Sequence, residues 1–272
     1  MVVAGIDIGS RTTCALIMKG GKIIASEMIF TGADSEATAR RAMEGAIAKA
    51  NLSVQAVNHI MATGYGRIRV SFADEIVSEI SCHARGAHWF FPGVRTVLDM
   101  GGQDCKAIRV DEEGNPADFV MNDKCAAGTG RFLEVMAETL RLPLEEIGPL
   151  SLESDRPATI NSFCTVFAKA EIPILIREGV PKKDILAGLH RALVVRIFNL
   201  LKKVGIRKEF VITGGIARNV GVVRVIEEKI GFPALIPEDP QIVGALGAAI
   251  LARENETPCR KGGDHFKDRR EK

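Results

Sequence analysis

The amino-acid sequence predicts an α/β protein built from two similar lobes with a cleft between them. Three observations support this fold class. The order of predicted elements, three strands followed by helices, starts again after Phe91-Pro92-Gly93. The first strand of each half ends in an Asp-x-Gly turn, and a later strand ends in a pair of glycines. Strands that alternate with helices are typical of α/β domains, and the repeated order indicates a duplication.

In the first half, apolar runs bounded by turn residues predict strands, and longer segments with helical apolar spacing predict helices. The strands are Val2 to Ile8, Thr12 to Met18, Lys22 to Phe30 and Val57 to Thr63; the helices are Ser35 to Ala50 and about Ile76 to Phe91.

The second half repeats this order. We predict strands at Arg95 to Met100, Cys105 to Val110, Ala117 to Met121 and Phe210 to Thr213, and helices from about Gly128, Thr165, Lys182 and Ala217, with a last helix from Gln241 to Arg253. We therefore assign residues 1–92 to lobe I, which we expect to include the helix at about 241–256. Residues 93–240 form lobe II, and the charged segment 257–272 is a flexible tail.

Composition narrows the classes of function. The chain has 272 residues, 46% of them hydrophobic, and a formal net charge of +2. This charge balance argues against a nucleic-acid partner, and no apolar run is long enough to span a membrane. Six cysteines without paired spacings and a start without a basic leader favour the reducing cytoplasm.

The two Asp-x-Gly turns suggest phosphate binding. Glycines such as Gly9, Gly101 and Gly102 let backbone N–H groups approach anionic oxygens. Around the first turn, Ser10, Thr12 and Thr13 add hydroxyl donors. A single such turn is ordinary turn chemistry. Two copies at matching points, with a third glycine pair at Gly214-Gly215, predict a nucleotide site.

Carboxylates at these turns suggest hydrolytic chemistry. Asp7 and Asp99 would hold Mg²⁺ directly or through water, since this ion prefers oxygen ligands. Gln103 and Asp104 follow the second glycine turn and would orient the attacking water. Asp104 is the better base, because an amide positions water but cannot usefully accept a proton.

These turns resemble those of the sugar kinase, heat-shock chaperone and actin superfamily of ATPases. The resemblance implies the actin-like ATPase fold, two ribonuclease-H-like lobes that close on ATP. It places adenosine at Thr213-Gly214-Gly215-Ile216-Ala217 and near the last helix. The remaining expected nucleotide contacts are Asn219, Gln241 and Ala245.

Two cysteines point to a metal cluster. Cys125, in the run Asn122 to Gly130, and Cys164 each precede a stretch with helical spacing, where the positive end of the helix dipole favours a thiolate. Two thiolates do not complete the usual four-cysteine iron-sulfur site. A twofold homodimer that shares one cluster would complete it most simply.

Four segments resemble the activators of 2-hydroxyacyl-CoA dehydratases and the ATPase subunits of benzoyl-CoA reductases: Ala62 to Arg67, Ser78 to Ala84, Asn122 to Gly130 and Cys164 to Ala168. The resemblance implies a homodimer with one 4Fe-4S cluster on Cys125 and Cys164. It also implies ATP-driven transfer of a low-potential electron to an iron-sulfur dehydratase or reductase, with flavodoxin or ferredoxin as donor.

The chain departs from that family pattern in two places. Cys14 stands where a lysine is common, and Arg11 replaces a small hydroxylated residue, so Arg11 would meet phosphate charge instead. Lys169 replaces an acid after Cys164, which alters the charge near the cluster. The remaining cysteines are expected to be structural, and His59, His88 and His190 to be surface residues.

Two alternatives stay open. One is a small-molecule kinase of the same superfamily, although an acceptor-binding region is not evident in so short a chain. The other is a chaperone or filament-like ATPase, for which the C-terminal segment offers no room for a substrate domain.

Overall fold

The computed structural model describes residues 1–122, 126–160 and 164–255. These residues form two compact units. Unit 1 comprises Met1–Gly93, Val110–Pro116 and the described residues from Gln241 onward. Unit 2 comprises the described residues of Val94–Arg109 and Ala117–Pro240. The predicted tail, 257–272, lies outside the described residues.

Unit 1 is built on a mixed sheet in the order β3-β2-β1-β4-β5. The strands β1 and β2 form an antiparallel hairpin, and β4 lies parallel to β1 on its other side. The bounds are β1 Val2–Ile8, β2 Thr12–Lys19, β3 Lys22–Phe30, β4 His59–Thr63 and β5 Glu75–Ile76.

Three helices cover the two faces of this sheet. Helix α1 (Ser35–Lys49), capped by Asp34, packs with Ala4, Ile6 and other side chains of one face. Helices α2 (Glu79–Phe90) and α8 (Val243–Glu254) pack on the opposite face, with Val3 and Leu16. Successive strand residues point to opposite faces, so the continuous apolar run of β1 supplies both cores.

Unit 2 repeats the arrangement with the order β8-β7-β6-β9. Strands β6 and β7 form an antiparallel hairpin, and β9 lies parallel to β6. The bounds are β6 Thr96–Met100, β7 Cys105–Val110, β8 Pro116–Asn122 and β9 Phe210–Thr213.

The helices of unit 2 share one core with its sheet. They are α3 Gly130–Leu140, α4 Ile147–Leu152, α5 Thr165–Arg177, α6 Lys182–Val204 and α7 Val220–Ile230. Most side chains of α5 are exposed, and only Ala168 and Ile172 are buried. None of the helices in the described part of the chain is long and apolar enough to cross a membrane.

The α/β fold class with two similar sheets is confirmed. The structure differs in detail from the predicted elements. A short 3-10 helix, Gly215–Arg218, occupies the start of the helix predicted from Ala217, and α7 begins at Val220. Helix α4 and strand β5 were not predicted. The surface position predicted for His190 is wrong, because its side chain is fully buried in unit 2.

Candidate functional site

Asp99 occupies the end of β6 in unit 2, in a row of polar side chains that crosses the sheet. The strand register places Lys106 opposite Asp99 on β7 and Thr213 opposite it on β9. Lys106 Nζ lies 3.3 Å from Asp99 Oδ2, and the Thr213 hydroxyl donates to Asp99 Oδ1 over 3.1 Å. All three residues are buried. Both oxygens of Asp99 thus have a protein donor.

The turn that follows β6 carries Asp104 back toward this row. The Gly101 N–H donates to the Asp104 carbonyl over 3.0 Å, which closes the turn, and Lys106 Nζ lies 2.7 Å from Asp104 Oδ1. A Cβ at Gly101 would lie 2.7 Å from that carboxylate oxygen, closer than real contacts allow. Gly102 is partly exposed and Gln103 exposed. The turn therefore presents backbone and an amide beside two carboxylates.

The third glycine turn approaches the same aspartate from β9. Gly214 has a φ of 82°, a conformation that favours glycine, and a Cβ there would lie 2.8 Å from Asp99 Oδ1. Its N–H donates to the Pro240 carbonyl over 2.9 Å, and Gly215 is exposed. Asn219 caps α7 by accepting a hydrogen bond from the Val222 N–H over 3.0 Å. Unit 2 thus brings Gly101, Gly214 and Asp99 together.

Helix α3 is joined to the second glycine turn by its first N–H groups. Gly130 N–H donates to the Gly101 carbonyl over 2.9 Å, and Arg131 N–H donates to the Gly102 carbonyl over 2.8 Å. The Cys105 thiol donates to the Gly128 carbonyl over 2.8 Å. Burial raises the pKa of Cys105, so it stays a protonated donor. The start of α3 is therefore hydrogen-bonded to the second glycine turn.

Asp7 is the second-last residue of β1 in unit 1, as Asp99 is of β6, but its neighbours on the adjacent strands differ. Its register partners are Cys14 on β2 and Thr63 on β4. The space that a Cβ would fill at Gly244 is occupied by Asp7 Oδ2, so the carboxylate lies against the first turn of α8. The positive end of a helix dipole stabilises a carboxylate there.

The first predicted phosphate turn links β1 to β2. Gly9 N–H donates to the Thr12 carbonyl over 3.0 Å, which forms a tight hairpin with exposed Arg11 and partly exposed Ser10 at its tip. The hydroxyl of Thr13 is fully buried and shares a hydrogen bond of 2.9 Å with Thr31. The hydrogen bond between Thr13 and Thr31 thus stabilises the turn.

Two further expected nucleotide contacts lie in unit 1. Gln241 is partly exposed just before α8. Ala245 is fully buried, and its backbone carbonyl fills the space that a side chain at Gly5 would need. Gly5 therefore lets α8 approach β1 closely, and Ala245 belongs to this packing contact.

The expected cluster cysteines are only partly described. Cys164 is exposed and directly precedes α5, where the first N–H groups of the helix point. Cys125 lies outside the described residues. Cys14, Cys82 and Cys105 are buried, and burial raises the pKa of the last two above the ordinary thiol range. Only Cys164 of these four has the setting of a metal ligand.

The donor set fits the expected groups as far as it is described. An exposed thiol at a helix N-terminus suits an iron-sulfur ligand. Within 1–122, 126–160 and 164–255, no three His, Cys, Asp or Glu side chains form a group that could hold a metal. Each oxygen of Asp99 has a second lone pair, so Asp99 suits contact with a hydrated Mg²⁺ through water.

Sequence reasoning missed Lys106. It sits in a strand read as apolar, but it is buried against two carboxylates. The signal was available in the hairpin: a four-residue turn from Gly101 to Asp104 places residues 99 and 106 opposite each other.

Comparisons with known proteins agree with this architecture. A model of the BadF/BadG/BcrA/BcrD ATPase family matches residues 4–252. The activator of lactoyl-CoA dehydratase from Anaerotignum propionicum is 44% identical over 93% of this chain and 98% of its own. The activating ATPase of (R)-2-hydroxyglutaryl-CoA dehydratase from Acidaminococcus fermentans is 43% identical, over 91% of this chain and 95% of its own.

A solved structure is equally similar. The activator of 2-hydroxyisocaproyl-CoA dehydratase from Clostridium difficile, with bound ADPNP, superposes with a TM-score of 0.89 at 41% identity. The match covers 93% of this chain and 95% of that one. The family model spans nearly the whole chain, and the relatives match along almost their full length. The chain therefore belongs to the BadF/BadG/BcrA/BcrD ATPase family.

Proposed function

We propose that this protein is an ATP-dependent activator of a partner iron-sulfur enzyme, either a 2-hydroxyacyl-CoA dehydratase or a related reductase. ATP hydrolysis drives the transfer of one low-potential electron to that partner in the cytoplasm. The observation that carries the proposal is the combination of dehydratase activators at over 40% identity with an exposed Cys164 at the start of α5.

The nucleotide role is assigned to the glycine turns and their aspartates. In unit 1, Gly9, Ser10, Arg11 and Thr12 supply backbone N–H groups, a hydroxyl and a cation to phosphate oxygens. In unit 2, Gly101, Gly102, Gly214 and Gly215 bring backbone close to phosphate and adenosine. Asn219 and Gln241 line the adenosine side.

Hydrolysis is assigned to the carboxylates. Asp7 and Asp99 hold Mg²⁺ through its water shell. Gln103 orients the attacking water, and Asp104 accepts its proton. The Lys106 contact to Asp104 Oδ1 fixes the carboxylate without covering it, because the Asp104 side chain is 26% exposed.

The cluster role is assigned to Cys125 and Cys164, two thiolates from each of two chains around one 4Fe-4S cluster. When bound, this cluster supplies a site that stores and releases one electron. The chain's own residues set its surroundings: Cys164 provides a thiolate at the N-terminus of α5, and exposed Lys169 adds positive charge in the second turn of that helix. Flavodoxin or ferredoxin is the donor in this proposal.

The test is the content of iron and acid-labile sulfide, together with the native mass, of protein purified without oxygen. We expect about four iron and four sulfide per dimer. Cys164→Ser should lose most of the iron and keep nucleotide affinity, whereas Cys14→Ala, a buried cysteine, should keep both. Iron retained by Cys164→Ser would contradict the cluster assignment.

A further inference from the structure

Lys106 is a buried cation whose described partners are two carboxylates. It is 2% exposed, and its Nζ lies 2.7 Å from Asp104 Oδ1 and 3.3 Å from Asp99 Oδ2. Moving an ammonium group out of water costs on the order of several kcal/mol of free energy unless opposite charges and hydrogen bonds compensate it. The two aspartates therefore stabilise the buried charge of Lys106, and Lys106 in turn fixes the positions of both carboxylates.

The backbone dictates this meeting of charges. The antiparallel register places Lys106 directly opposite Asp99, where cross-strand side chains touch. The turn between them closes through the hydrogen bond from Gly101 N–H to the Asp104 carbonyl. The closed turn therefore brings the Asp104 carboxylate to the Lys106 ammonium group. Thr213 holds the other oxygen of Asp99 from the neighbouring strand.

The carboxylates are also confined by backbone. A Cβ at Gly101 would lie 2.7 Å from Asp104 Oδ1, and a Cβ at Gly214 would lie 2.8 Å from Asp99 Oδ1. The two carboxylates fill these spaces, so each has backbone on one side and the ammonium on another. A small shift of Lys106 would consequently shift both carboxylates.

We propose that Lys106 is a positioning residue for ATP hydrolysis, which holds Asp99 and Asp104 in one fixed arrangement at the end of β6. This inference rests on the proposed function. A water oxygen bonds to the γ-phosphorus while the bond to the β,γ-bridging oxygen breaks. ADP leaves with that electron pair, and the water proton passes to Asp104. Lys106 acts through the two aspartates, so its role is orientation.

The test compares the steady-state ATPase kinetics of Lys106→Met, Lys106→Arg and the wild type. A misplacement of about 1 Å can cost roughly a hundredfold in rate. We expect Lys106→Met to lower kcat by about that factor, with KM for ATP changed less than about threefold, because the adenosine contacts are elsewhere. Lys106→Arg should recover part of kcat, since a guanidinium also donates to carboxylates.

Lys203→Met is the matched control, because Lys203 is exposed on α6 of the same unit. It should leave kcat and KM unchanged. Titration calorimetry with Mg·ADP provides a readout independent of turnover, and Lys106→Met should weaken the contribution of Mg²⁺ to nucleotide affinity. Thermal unfolding checks each variant. If Lys106→Met does not fold, Lys106→Gln replaces it, because its amide donates without charge.

Three outcomes would overturn the inference. One is a kcat for Lys106→Met within about twofold of the wild type, and another is equal impairment of folded Lys106→Met and Lys106→Arg. The third is an effect of Lys106→Met confined to KM for ATP, which would make Lys106 a phosphate ligand. Failure of the proposed function is distinguishable from these results, because it would appear as a wild type without ATPase activity.

Discussion

The first strand of each sheet has an aspartate as its second-last residue, but the two aspartates have different neighbours. Asp99 in unit 2 lies opposite a buried lysine, Lys106. Asp7 in unit 1 lies opposite a cysteine, Cys14, and against the first turn of α8. In the same hairpin topology, Asp99 is thus paired with a side-chain cation, whereas Asp7 lies at a helix N-terminus. Under the proposed function, we therefore expect ATP hydrolysis to depend more on Asp99 than on Asp7.

The largest expected effect follows from this difference. Asp99→Asn should lower the kcat of ATP hydrolysis by about 10²- to 10³-fold, since it removes a preorganised charge and also releases Lys106 from one partner. Asp7→Asn should cost less, because no lysine is lost from its row. Steady-state ATPase assays check both variants, with exposed Asp155→Asn as the control. Equal losses at Asp7 and Asp99 would contradict this expectation.

Glycine packing beside Asp99 gives the next effect. Gly214 and Gly231 have nearly equal φ angles, 82° and 85°, but a Cβ at Gly231 would meet nothing within 4 Å. Gly231→Ala should cost about 1–2 kcal/mol of unfolding free energy from backbone strain alone. Gly214→Ala should cost about 1–3 kcal/mol more, because a Cβ there would collide with Asp99 and Met100 and because its ψ of 176°, against 14° at Gly231, lies in a region nearly restricted to glycine. Urea unfolding measures the free energy of unfolding of both variants. Equal losses would show that the turn at Gly214 rearranges to accommodate the added methyl group.

The pH dependence of stability that His190 causes in unit 2 should be similar to or smaller than the effect of the glycine substitutions. His190 Nδ1 lies 3.0 Å from Ser151 Oγ, and its Nε2 has no hydrogen-bond partner among the residues that the structure describes. Desolvation lowers the pKa of His190 from 6.5 to about 4. Between these values the unfolded chain binds a proton that the folded protein does not, so stability falls as pH falls from 6.5 toward 4.

The expected total loss from His190 is roughly 3 kcal/mol. His190→Gln should flatten this part of the stability profile, which urea unfolding at several pH values would measure. An unchanged slope between pH 6.5 and 5 in His190→Gln would exclude His190 as the cause.

The smallest expected effect concerns the link between the turn and α3. Cys105→Ala removes the thiol donor to the Gly128 carbonyl and should cost about 1–2 kcal/mol of unfolding free energy, part of it lost hydrogen bonding. Cys105→Ser keeps a donor and should recover some of that loss. Thermal unfolding compares the two, and identical midpoints would mean that the hydrogen bond contributes nothing.

The fold was predictable because its signals are local. Apolar runs between turn residues gave β1, β3, β7 and β9 their observed bounds. The start of α7 was less predictable: residues 215–218 form a short 3-10 helix, and Asn219 caps α7 at Val220. The expected nucleotide contact of Asn219 stays a prediction.

The site was less predictable because it depends on pairing between strands. Lys106 follows Cys105 in an apolar run, and only the register of β6 and β7 reveals its contact with Asp99. His190 was misplaced on the surface because α6 has buried residues on most of its sides. Burial of this kind comes from neighbouring helices, which the local pattern does not contain.

The most direct test of the proposed activator role is the nucleotide dependence of electron delivery. The reduced protein would be mixed without oxygen with lactoyl-CoA dehydratase, the partner named for a relative at 44% identity, and its visible absorbance followed with ATP, with ADP and with no nucleotide. An ATP-driven activator should show rapid oxidation and dehydratase activity with ATP only. Oxidation at the same rate in all three conditions would contradict an ATP-driven activator.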